Sequence, residues 1–309
     1  MGPFDENGVC AVIVTYAPDM ALLRRVLASV LVQAGHVVIF DNSGRQEDLA
    51  RQLAPLGEGR LSVVGADGNI GLAAALNRAC ERAIADGYRY VLLMDQDSEL
   101  EAGMVQILGR ALLDLQRGQQ VAAVGPQFRD ARSGQLAPFV RLGFPFNHKD
   151  LGGPGAKVRC DFLITSGALI PVSALQQVGG MDEGLFIDSV DLDWSFRAQA
   201  AGLSLFGVCD ARMQHCIGES LRPSRLVHGG VVIHKPFRLY FMMRNRVLLY
   251  RRATTPRLWV LQDIPRVLFK LVGNGLFVPP RLARLRCMLR GLWDGAMGRS
   301  GGLPPDLAP

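Results

Sequence analysis

The sequence predicts an α/β fold, with a mostly parallel sheet and helices packed on both of its faces. The first observation is a series of short, continuous apolar runs, of which Val9–Tyr16 and Tyr90–Met94 are the most pronounced. The second is that these runs alternate with segments of helical periodicity, such as Leu72–Ala85. Continuous apolar strands separated by helices of about 10–15 residues are typical of βαβ units, whose strands are parallel and covered on both faces.

The predicted elements alternate along the first part of the chain. We expect strands at Val9–Tyr16, Val37–Phe40, Leu61–Gly65, Tyr90–Met94 and Val121–Val124, and helices at Met20–Gln33, Leu72–Ala85, Ala102–Gln116 and Asp191–Ala201. The last helix is followed by Gly202, a residue suited to ending a helix. After Pro126 the alternation weakens, and residues 138–155, rich in Gly, Pro and Phe, are expected to form a long loop.

The composition is that of a globular protein. Of the 309 residues, 49% are hydrophobic and 20% are charged, which excludes a disordered chain. Six cysteines without a C-x-x-C pair indicate reduced thiols. The first residues, MGPFDENGVC, lack the basic segment that precedes the apolar run of a signal peptide. We therefore expect a cytoplasmic protein.

The net charge of +6 is concentrated in the last quarter of the chain. Between Arg238 and Arg299 there are thirteen Arg or Lys residues but only two Asp residues. Past His234 the pattern is helical, basic and apolar, so we expect a domain at 1–235 and a helical extension at 236–309. Such helices bind anionic membranes or nucleic acid, or pack as a solvated extension. High apolar content without a nucleic-acid-binding motif favours a membrane surface as partner and argues against nucleic acid.

Three polar segments follow predicted strands at their carboxyl ends. They are Asp41, the turn Gly68–Gly71, and the pair Asp95 and Asp97. The carboxyl ends of parallel strands lie at one edge of a sheet, where ligands bind in open α/β folds. The sequence therefore predicts that these three segments form one site.

The pair Asp95 and Asp97 suits a hard divalent cation. Two carboxylates at positions i and i+2 after a strand can face one point outside the sheet, and Mg²⁺ or Mn²⁺ prefers such oxygen ligands. The structural alternative is an acidic turn that caps the next helix. The Gly68–Gly71 turn, at a helix N-terminus, would let backbone N–H groups approach an anion, although it matches neither G-x-G-x-x-G nor Walker A.

Further candidates lie in the second half of the chain. Asp188, Asp191 and Asp193 stand at the start of the helix near 191, where one carboxylate would serve as a general base and helix capping explains the others. His215 follows a short strand pattern and is a candidate third metal ligand. A single histidine is more often structural, and His228 and His234 compete for this role.

Taken together, these residues resemble the family-2 inverting glycosyltransferases, which have the GT-A fold. The motifs are, in order, VIVTY, DNSG, G-N-x-G-x-x-x-x-x-N, D-x-D, GGMDE, D-x-D-W-x-x-R and H-x-x-G. The segments MDQDS, LFIDSVDLDWSFRAQAAG, HCIG and HKPFRLYFMMRNRVLLYRR are similar to bacterial rhamnosyltransferases. The resemblance extends from about Val9 to Gly298.

The resemblance implies a role for each matching residue. Residues of the donor-nucleotide site would be Thr15, Tyr16, Asp41, Asn69, Gly71, Asp95 and Arg244, the last of these paired with the diphosphate. Asp97 and His215 would bind Mg²⁺ or Mn²⁺, with Asp95 as a possible further ligand. The base would be Asp191. The family's usual Glu-Asp pair is missing at this helix, so Asp188 is the alternative.

The function implied is the metal-dependent, inverting transfer of L-rhamnose from dTDP-L-rhamnose to a hydroxyl of a lipid-linked saccharide. The enzyme would lie on the inner face of the bacterial plasma membrane, in the assembly of O-antigen or another surface polysaccharide. Synthesis of di-rhamnolipid from mono-rhamnolipid is the alternative, followed by another nucleotide-sugar donor. Other classes are a metal-dependent nucleotidyltransferase or nuclease, which would want a third carboxylate, and a non-catalytic binding protein.

Overall fold

A computed structural model describes residues 4–130, 134–215, 220–222 and 231–307 of the chain. Within these ranges, side chains are described for all residues except 215, 220–222, 231–233 and 276.

Thirteen strands occur in the described ranges. They are β1 (Val9–Thr15), β2 (His36–Asp41), β3 (Leu61–Gly65), β4 (Tyr90–Asp95), β5 (Glu99–Leu100), β6 (Val121–Asp130), β7 (Phe139–Arg141), β8 (His148–Asp150), β9 (Lys157–Cys160), β10 (Leu169–Pro171), β11 (Ser204–His215), β12 (Ser220–Arg222) and β13 (Val231–Ile233).

The α-helices of the same ranges number nine. They are α1 (Met20–Leu31), α2 (Gln46–Gly57), α3 (Leu72–Ala85), α4 (Met104–Leu115), α5 (Val172–Val178), α6 (Val190–Ala200), α7 (Pro236–Tyr250), α8 (Arg257–Phe277) and α9 (Arg281–Ala296). Short 3₁₀ turns add Glu6–Gly8, Glu183–Leu185 and Pro305–Leu307.

One mixed sheet of nine described strands forms the centre of the molecule. Its strand order is β3-β2-β1-β4-β10-β6-β11-β5, with β9 also paired to β11. The first four strands are parallel to one another, β10 runs antiparallel between β4 and β6, and β11 is parallel to β6. The register aligns Thr15 with Asp41 and Val14 with Asp95, so β1, β2 and β4 end together.

Apolar side chains fill both faces of this sheet, as the continuous runs in the sequence predict. Alternate residues of β1 enter opposite cores: Cys10, Val12 and Val14 pack with α3 and α6, whereas Val9, Ala11 and Ile13 pack with α1 and α4. The α/β prediction is confirmed. The sheet is more mixed than expected, because β10 enters its middle from a part of the sequence without a repeated βαβ pattern.

Two segments differ from the sequence-based expectations. Helix α2 forms at Gln46–Gly57 although Pro55 lies inside it, and the sequence pattern did not predict it. Residues 138–155 are only partly a loop, since β7 and β8 pair as a hairpin with Phe139 opposite Asp150. The tip of this hairpin carries Phe144 and Phe146, both largely exposed.

The C-terminal helices pack on the main core. Helix α7 begins at Pro236, and its Leu249 joins the sheet core together with Trp259 of α8. Leu239, Met243, Val267 and Met288 form a smaller core among α7, α8 and α9. In the described part of the chain, no helix combines the length and the apolar composition needed to cross a bilayer.

Candidate active site

Two asparagines join the turns that follow β2 and β3. The Asn42 side chain donates to Oδ1 of Asn69 at 3.0 Å and accepts from the backbone N–H of Ile70 at 2.8 Å. Oδ1 of Asn69 also accepts from the N–H of Gly71 at 2.9 Å. These bonds fix the backbone of the Gly68–Gly71 turn relative to the end of β2.

Asp41 is buried at the end of β2. Its carboxylate accepts hydrogen bonds from the N–H and hydroxyl of Ser43, at 3.1 and 2.5 Å, and from the N–H of Arg45. It lines a small pocket of about 110 Å³ together with Pro18, Met20 and Arg45. Thr15, its neighbour in register, is buried and directs its hydroxyl to the carbonyl of Phe40 at 3.4 Å. This is where the resemblance places the nucleotide base.

The segment Asp95-Gln96-Asp97 is held between its neighbours. Oε1 of Gln96 accepts from the N–H of Tyr16 at 2.8 Å, and the N–H of Asp95 donates to Oγ of Ser166 at 3.2 Å. The ring of Tyr16 is exposed next to this contact. Asp95 and Asp97 are both partly buried. The two carboxylates therefore lie on an anchored strand end, which is how a ligand pair must be held.

The backbone brings His215 to the same place. Strand β5 follows Asp97 directly and pairs antiparallel with the end of β11, with Leu100 opposite Met213 and Glu99 opposite Gln214. Continuing this register places His215 opposite Ser98, the residue after Asp97. The side chain of His215 lies outside the described residues, and so does His228.

The donor set fits a hard divalent cation, with two carboxylates on one strand end and a histidine at the adjacent register position. Among the described side chains, no group of three His, Cys, Asp or Glu residues is arranged to hold a metal ion. His234, the other candidate histidine, stands just before α7, and burial lowers its pKa to about 4.

The three acidic residues near α6 have different environments. Asp193 is buried, accepts from Nε of Arg197 at 2.8 Å and pairs with Arg252. Asp188 faces Arg238, whose Nη2 and Nε lie 3.0 and 3.2 Å from its oxygens. Asp193 therefore has a structural role, and Asp188 is neutralised by an arginine.

Asp191, in the first turn of α6, meets no arginine in the ion pairs of the described residues. Its Oδ1 accepts from the N–H of Leu192 at 2.8 Å, and its side chain borders a small, mostly apolar pocket with Trp194. The pKa of Asp191 is raised to about 6; burial is the largest cause, the Leu192 N–H opposes it, and the charges of Asp188 and Asp95 add to it. A carboxylate in this range can accept a proton near neutral pH.

Phe186 links the donor turn to the acidic segment. A Cβ added at Gly71 would lie 2.6 Å from Cδ2 of Phe186, and Gly71 has a φ of +91° that favours glycine. The carbonyl of Phe186 accepts from the N–H of Ala73 in the first turn of α3, at 3.3 Å. The turn expected to hold the nucleotide and the segment that carries Asp191 are therefore in direct contact.

Arg244 has partners other than the diphosphate that the resemblance implied. It is fully buried and donates to the carbonyls of Gly301, Gly184 and Leu185 at 2.6, 3.1 and 2.9 Å. Burial lowers its pKa. Arg244 therefore links the backbone at residues 184 and 185 to that at residue 301.

Several residues of this site escaped the sequence analysis. Asn42 lies in the DNSG motif, and Arg238 and Asn245 lie in the HKPFRLYFMMRN segment, but none of the three was predicted to belong to the site. No local pattern signals their contacts, since Arg238 and Asn245 reach partners 50 and 57–60 positions away in the chain.

Comparisons with known proteins show what this chain is similar to. The profile of a family described as glycosyltransferase like family 2 matches residues 7–227. A curated relative, dTDP-rhamnosyl transferase RfbF of Shigella flexneri, is 27% identical over 302 residues, covering 96% of this chain and 98% of that protein.

Solved structures share the fold. S. aureus TarS 1–349 in complex with UDP-GlcNAc superposes with a TM-score of 0.58 at 14% identity, covering 97% of this chain and 82% of that chain. The mannosyltransferase PcManGT from Pyrobaculum calidifontis, in complex with GDP-Man and Mn²⁺, gives a TM-score of 0.53 at 17% identity, covering 94% and 76%. The described chain has the GT-A fold.

Proposed function

Because the chain belongs to glycosyltransferase like family 2 and is a glycosyltransferase, we propose that it transfers L-rhamnose from dTDP-L-rhamnose, with inversion, to a hydroxyl of a lipid-linked saccharide. The observation that carries the choice of donor is the similarity to the Shigella flexneri dTDP-rhamnosyl transferase along nearly the full length of both chains. A nucleotide sugar is also the bound ligand in solved structures of the same fold.

The donor would lie along the carboxyl ends of β1, β2 and β4. The pocket beside Asp41 would take the pyrimidine, with Thr15 next to Asp41 in the strand register and the exposed Tyr16 ring following it in the chain. The turn fixed by Asn42 and Asn69 takes the ribose. We place Arg244 outside this site, because its guanidinium donates to backbone carbonyls.

Asp97 and His215, with Asp95, would hold Mg²⁺ or Mn²⁺. When bound there, the cation supplies positive charge that offsets the charge of the departing diphosphate. Asp95 also lies close enough to Asp191 to raise its pKa. The donor site and the base therefore face one another.

Asp191 would act as the general base. As the acceptor oxygen forms its bond to the anomeric carbon, the bond from that carbon to the dTDP oxygen breaks, and the hydroxyl proton moves to a carboxylate oxygen of Asp191. The apolar pocket beside Asp191 disfavours its charged form, which strengthens it as a proton acceptor. Arg238 holds Asp188 in an ion pair, which leaves Asp191 as the proposed base.

The test is dTDP release from dTDP-L-rhamnose in the presence of a synthetic lipid-linked saccharide, with UDP-GlcNAc and GDP-mannose as competing donors. We expect dTDP-L-rhamnose to be preferred at least tenfold, EDTA to stop release, Mn²⁺ or Mg²⁺ to restore it, and Asp97→Ala to lose it. Preference for another donor would refute the assignment of rhamnose. Release unaffected by EDTA would refute the role of the metal.

Analysis of the product identifies the acceptor. Mass spectrometry should show one deoxyhexose added to the lipid-linked saccharide, and NMR should show an inverted anomeric configuration. Addition to mono-rhamnolipid alone would instead support the alternative acceptor.

The C-terminal helices would hold the enzyme at an anionic membrane. Helix α8 exposes Leu261, Leu268, Phe269 and Val272 at the spacing of one helical face, and α9 likewise exposes Leu282, Leu289 and Trp293. Arg257, Arg266 and Arg281 are exposed on or at the ends of these helices. Apolar side chains beside exposed cations match a surface of anionic lipids.

The β7–β8 hairpin adds a second apolar element to this membrane-facing surface. Gln262 of α8 donates to the carbonyls of Gly143 and Pro145 at 2.6 and 3.3 Å, which ties the hairpin tip to α8. Phe144 and Phe146 nevertheless remain 77% and 81% exposed.

Sedimentation with vesicles tests this surface. We expect binding to phosphatidylglycerol vesicles and little binding to phosphatidylcholine vesicles, and loss of binding in Leu268→Ser/Phe269→Ser and in Phe144→Ser/Phe146→Ser. Val32→Ser, which removes an exposed apolar side chain beside α1, is the control and should bind as the wild type does. Equal binding by all variants would refute the surface.

A further inference from the structure

We propose that Asn245 of α7 is a positioning residue for the base, holding the turn from which Asp191 projects. This inference rests on the proposed role of Asp191. The side-chain amide of Asn245 is fully buried and faces the carbonyls of Leu185, Ile187 and Asp188.

The amide of Asn245 binds three carbonyls of one turn. Its Nδ2 lies 2.9 Å from the oxygen of Leu185, 2.8 Å from that of Ile187 and 2.8 Å from that of Asp188. Two N–H groups thus serve three acceptors, so one bond is shared. Buried carbonyls need such partners, and removing the donor leaves each of them unsatisfied.

Arg244 fixes the orientation of this amide. Its Nε donates to Oδ1 of Asn245 at 3.0 Å, so the NH₂ group of the amide must face the turn. The same guanidinium donates to the carbonyls of Gly184 and Leu185 and lies 5.0 Å from the ring centroid of Phe241. Neighbouring residues of α7 therefore hold one backbone segment together.

The segment needs to be held, because its backbone is strained. Phe186, Asp188 and Ser189 have φ angles of 64°, 65° and 63°, in the region that side-chain-bearing residues avoid. Such backbone conformations are unfavourable for residues that carry a side chain, and they persist only where surrounding contacts impose them. The hydrogen bonds that Asn245 and Arg244 donate to this segment hold it in the strained conformation.

The proposed base, Asp191, closely follows this strained segment. Helix α6 begins at Val190, and its N-cap Ser189 makes no side-chain capping bond. The turn before the helix therefore helps to set the position of its first residues, and Asp191 lies two residues past Ser189. A relaxed turn would move the carboxylate away from the acceptor hydroxyl, while Asp41 and Asp97, which lie at or just after the ends of other strands, stay in place.

The experiment compares Asn245→Ala with Asn274→Ala. Asn274 is the matched control: it lies in α8, donates to the carbonyl of Lys270 and accepts from Arg284, and makes no hydrogen bond to the 184–188 turn among the described residues. In Asn245→Ala we expect kcat to fall on the order of 100-fold, with a much smaller rise in the KM for dTDP-L-rhamnose, because Phe186 of the same turn contacts Gly71. We expect amide exchange to accelerate in peptides covering 184–192. Asn274→Ala should change neither, even where its melting temperature falls equally.

Other outcomes overturn the proposal. Unchanged exchange at 184–192 in Asn245→Ala would refute the holding role, and unchanged kcat would refute the positioning of the base. Asn245→Ser, which keeps one small donor, should give intermediate exchange and kcat and replaces Asn245→Ala if that variant does not fold. A wild-type enzyme that releases no dTDP refutes the proposed donor instead; kcat is then measured with the donor it does use, and the exchange comparison is unaffected.

Discussion

Arg238 contacts Asp188 through both Nε and Nη2, at 3.2 and 3.0 Å, and leaves Asp191 as the carboxylate of this segment with a raised pKa. The two acidic residues are three positions apart in the chain. They nevertheless have opposite electrostatic environments, because a guanidinium stabilises one negative charge and burial disfavours the other.

The base assignment predicts unequal effects of two matched substitutions. Asp191→Asn should lower kcat about 10³-fold, since general base catalysis contributes on that order, while nucleotide-sugar affinity measured by calorimetry stays near the wild-type value. Asp188→Asn should lower kcat much less, because only the Arg238 pair is lost. If Asp188→Asn proves the more damaging of the two, the roles are reversed.

The raised pKa predicts how activity depends on pH. A base works only when ionised, so kcat/KM should be constant above about pH 7 and should fall about tenfold per pH unit below the Asp191 pKa of about 6. Initial rates from pH 5 to 8.5 at saturating metal measure this. The residual activity of Asp191→Asn should lack this acidic limb. A wild-type limb centred near pH 4 would contradict the burial of Asp191.

The same pKa shift predicts that Asp191→Asn, which lowers activity, raises the stability of the fold. The folded pKa of Asp191 is raised from 3.8 to about 6, so ionising this group costs more in the folded than in the unfolded state. The free energy of unfolding is therefore not reduced by Asp191 at low pH, and it falls as the pH rises from about 3.8 to about 6 and the carboxyl ionises. Asp191→Asn removes the cost of ionising this carboxyl and should stabilise the fold at pH 7.5 by about 1–3 kcal/mol.

Urea unfolding at two pH values checks this. The gain in Asp191→Asn should shrink to about half at pH 5, where the wild-type carboxyl is already largely protonated in the folded state. Asp188→Asn, which loses an ion pair instead, should destabilise at both values. A destabilised Asp191→Asn at pH 7.5 would contradict the prediction.

The contact between Gly71 and Phe186 predicts a glycine requirement. Gly71→Ala would place a methyl group 2.6 Å from the Phe186 ring at a φ of +91°, and should destabilise the fold by about 1–3 kcal/mol and weaken donor binding. Gly68→Ala is the control in the same turn, because a Cβ there meets no atom within 4 Å. Thermal melts and donor titrations of both variants measure the difference; equal effects would show that crowding at Phe186 is not the cause.

The two-asparagine link predicts a binding defect. Asn42→Ala removes its bonds to Asn69 and Ile70, so the turn after β3 loses its connection to β2. We expect the KM for the donor to rise about tenfold, equivalent to the roughly 1.4 kcal/mol of one or two hydrogen bonds, with kcat little changed. Asn7→Ala, at an exposed asparagine, should behave as the wild type. An unchanged KM in Asn42→Ala would mean that the turn is held by its own backbone.

Much of the fold was predictable because its signals are local. Continuous apolar runs predicted the strands from Val9 to Asp95, and helical spacing predicted α3 at Leu72–Ala85 with the bounds that the structure has. The parallel pattern also predicted that Asp41, the Gly68–Gly71 turn and Asp95 end on one edge. The sequence determined these features because neighbouring residues impose strand and helix periodicity.

The tertiary structure alone decided which polar residues are structural and which are free for chemistry. Arg238 neutralises Asp188 from 50 positions away, Arg252 reaches Asp193 from 59, and the amide of Asn245 reaches the base turn from 57–60. The same holds for Arg244, whose guanidinium donates to carbonyls of residues 184, 185 and 301. Such partners are chosen by the packing of α7 against the α6 turn, and no periodicity in the chain encodes that packing.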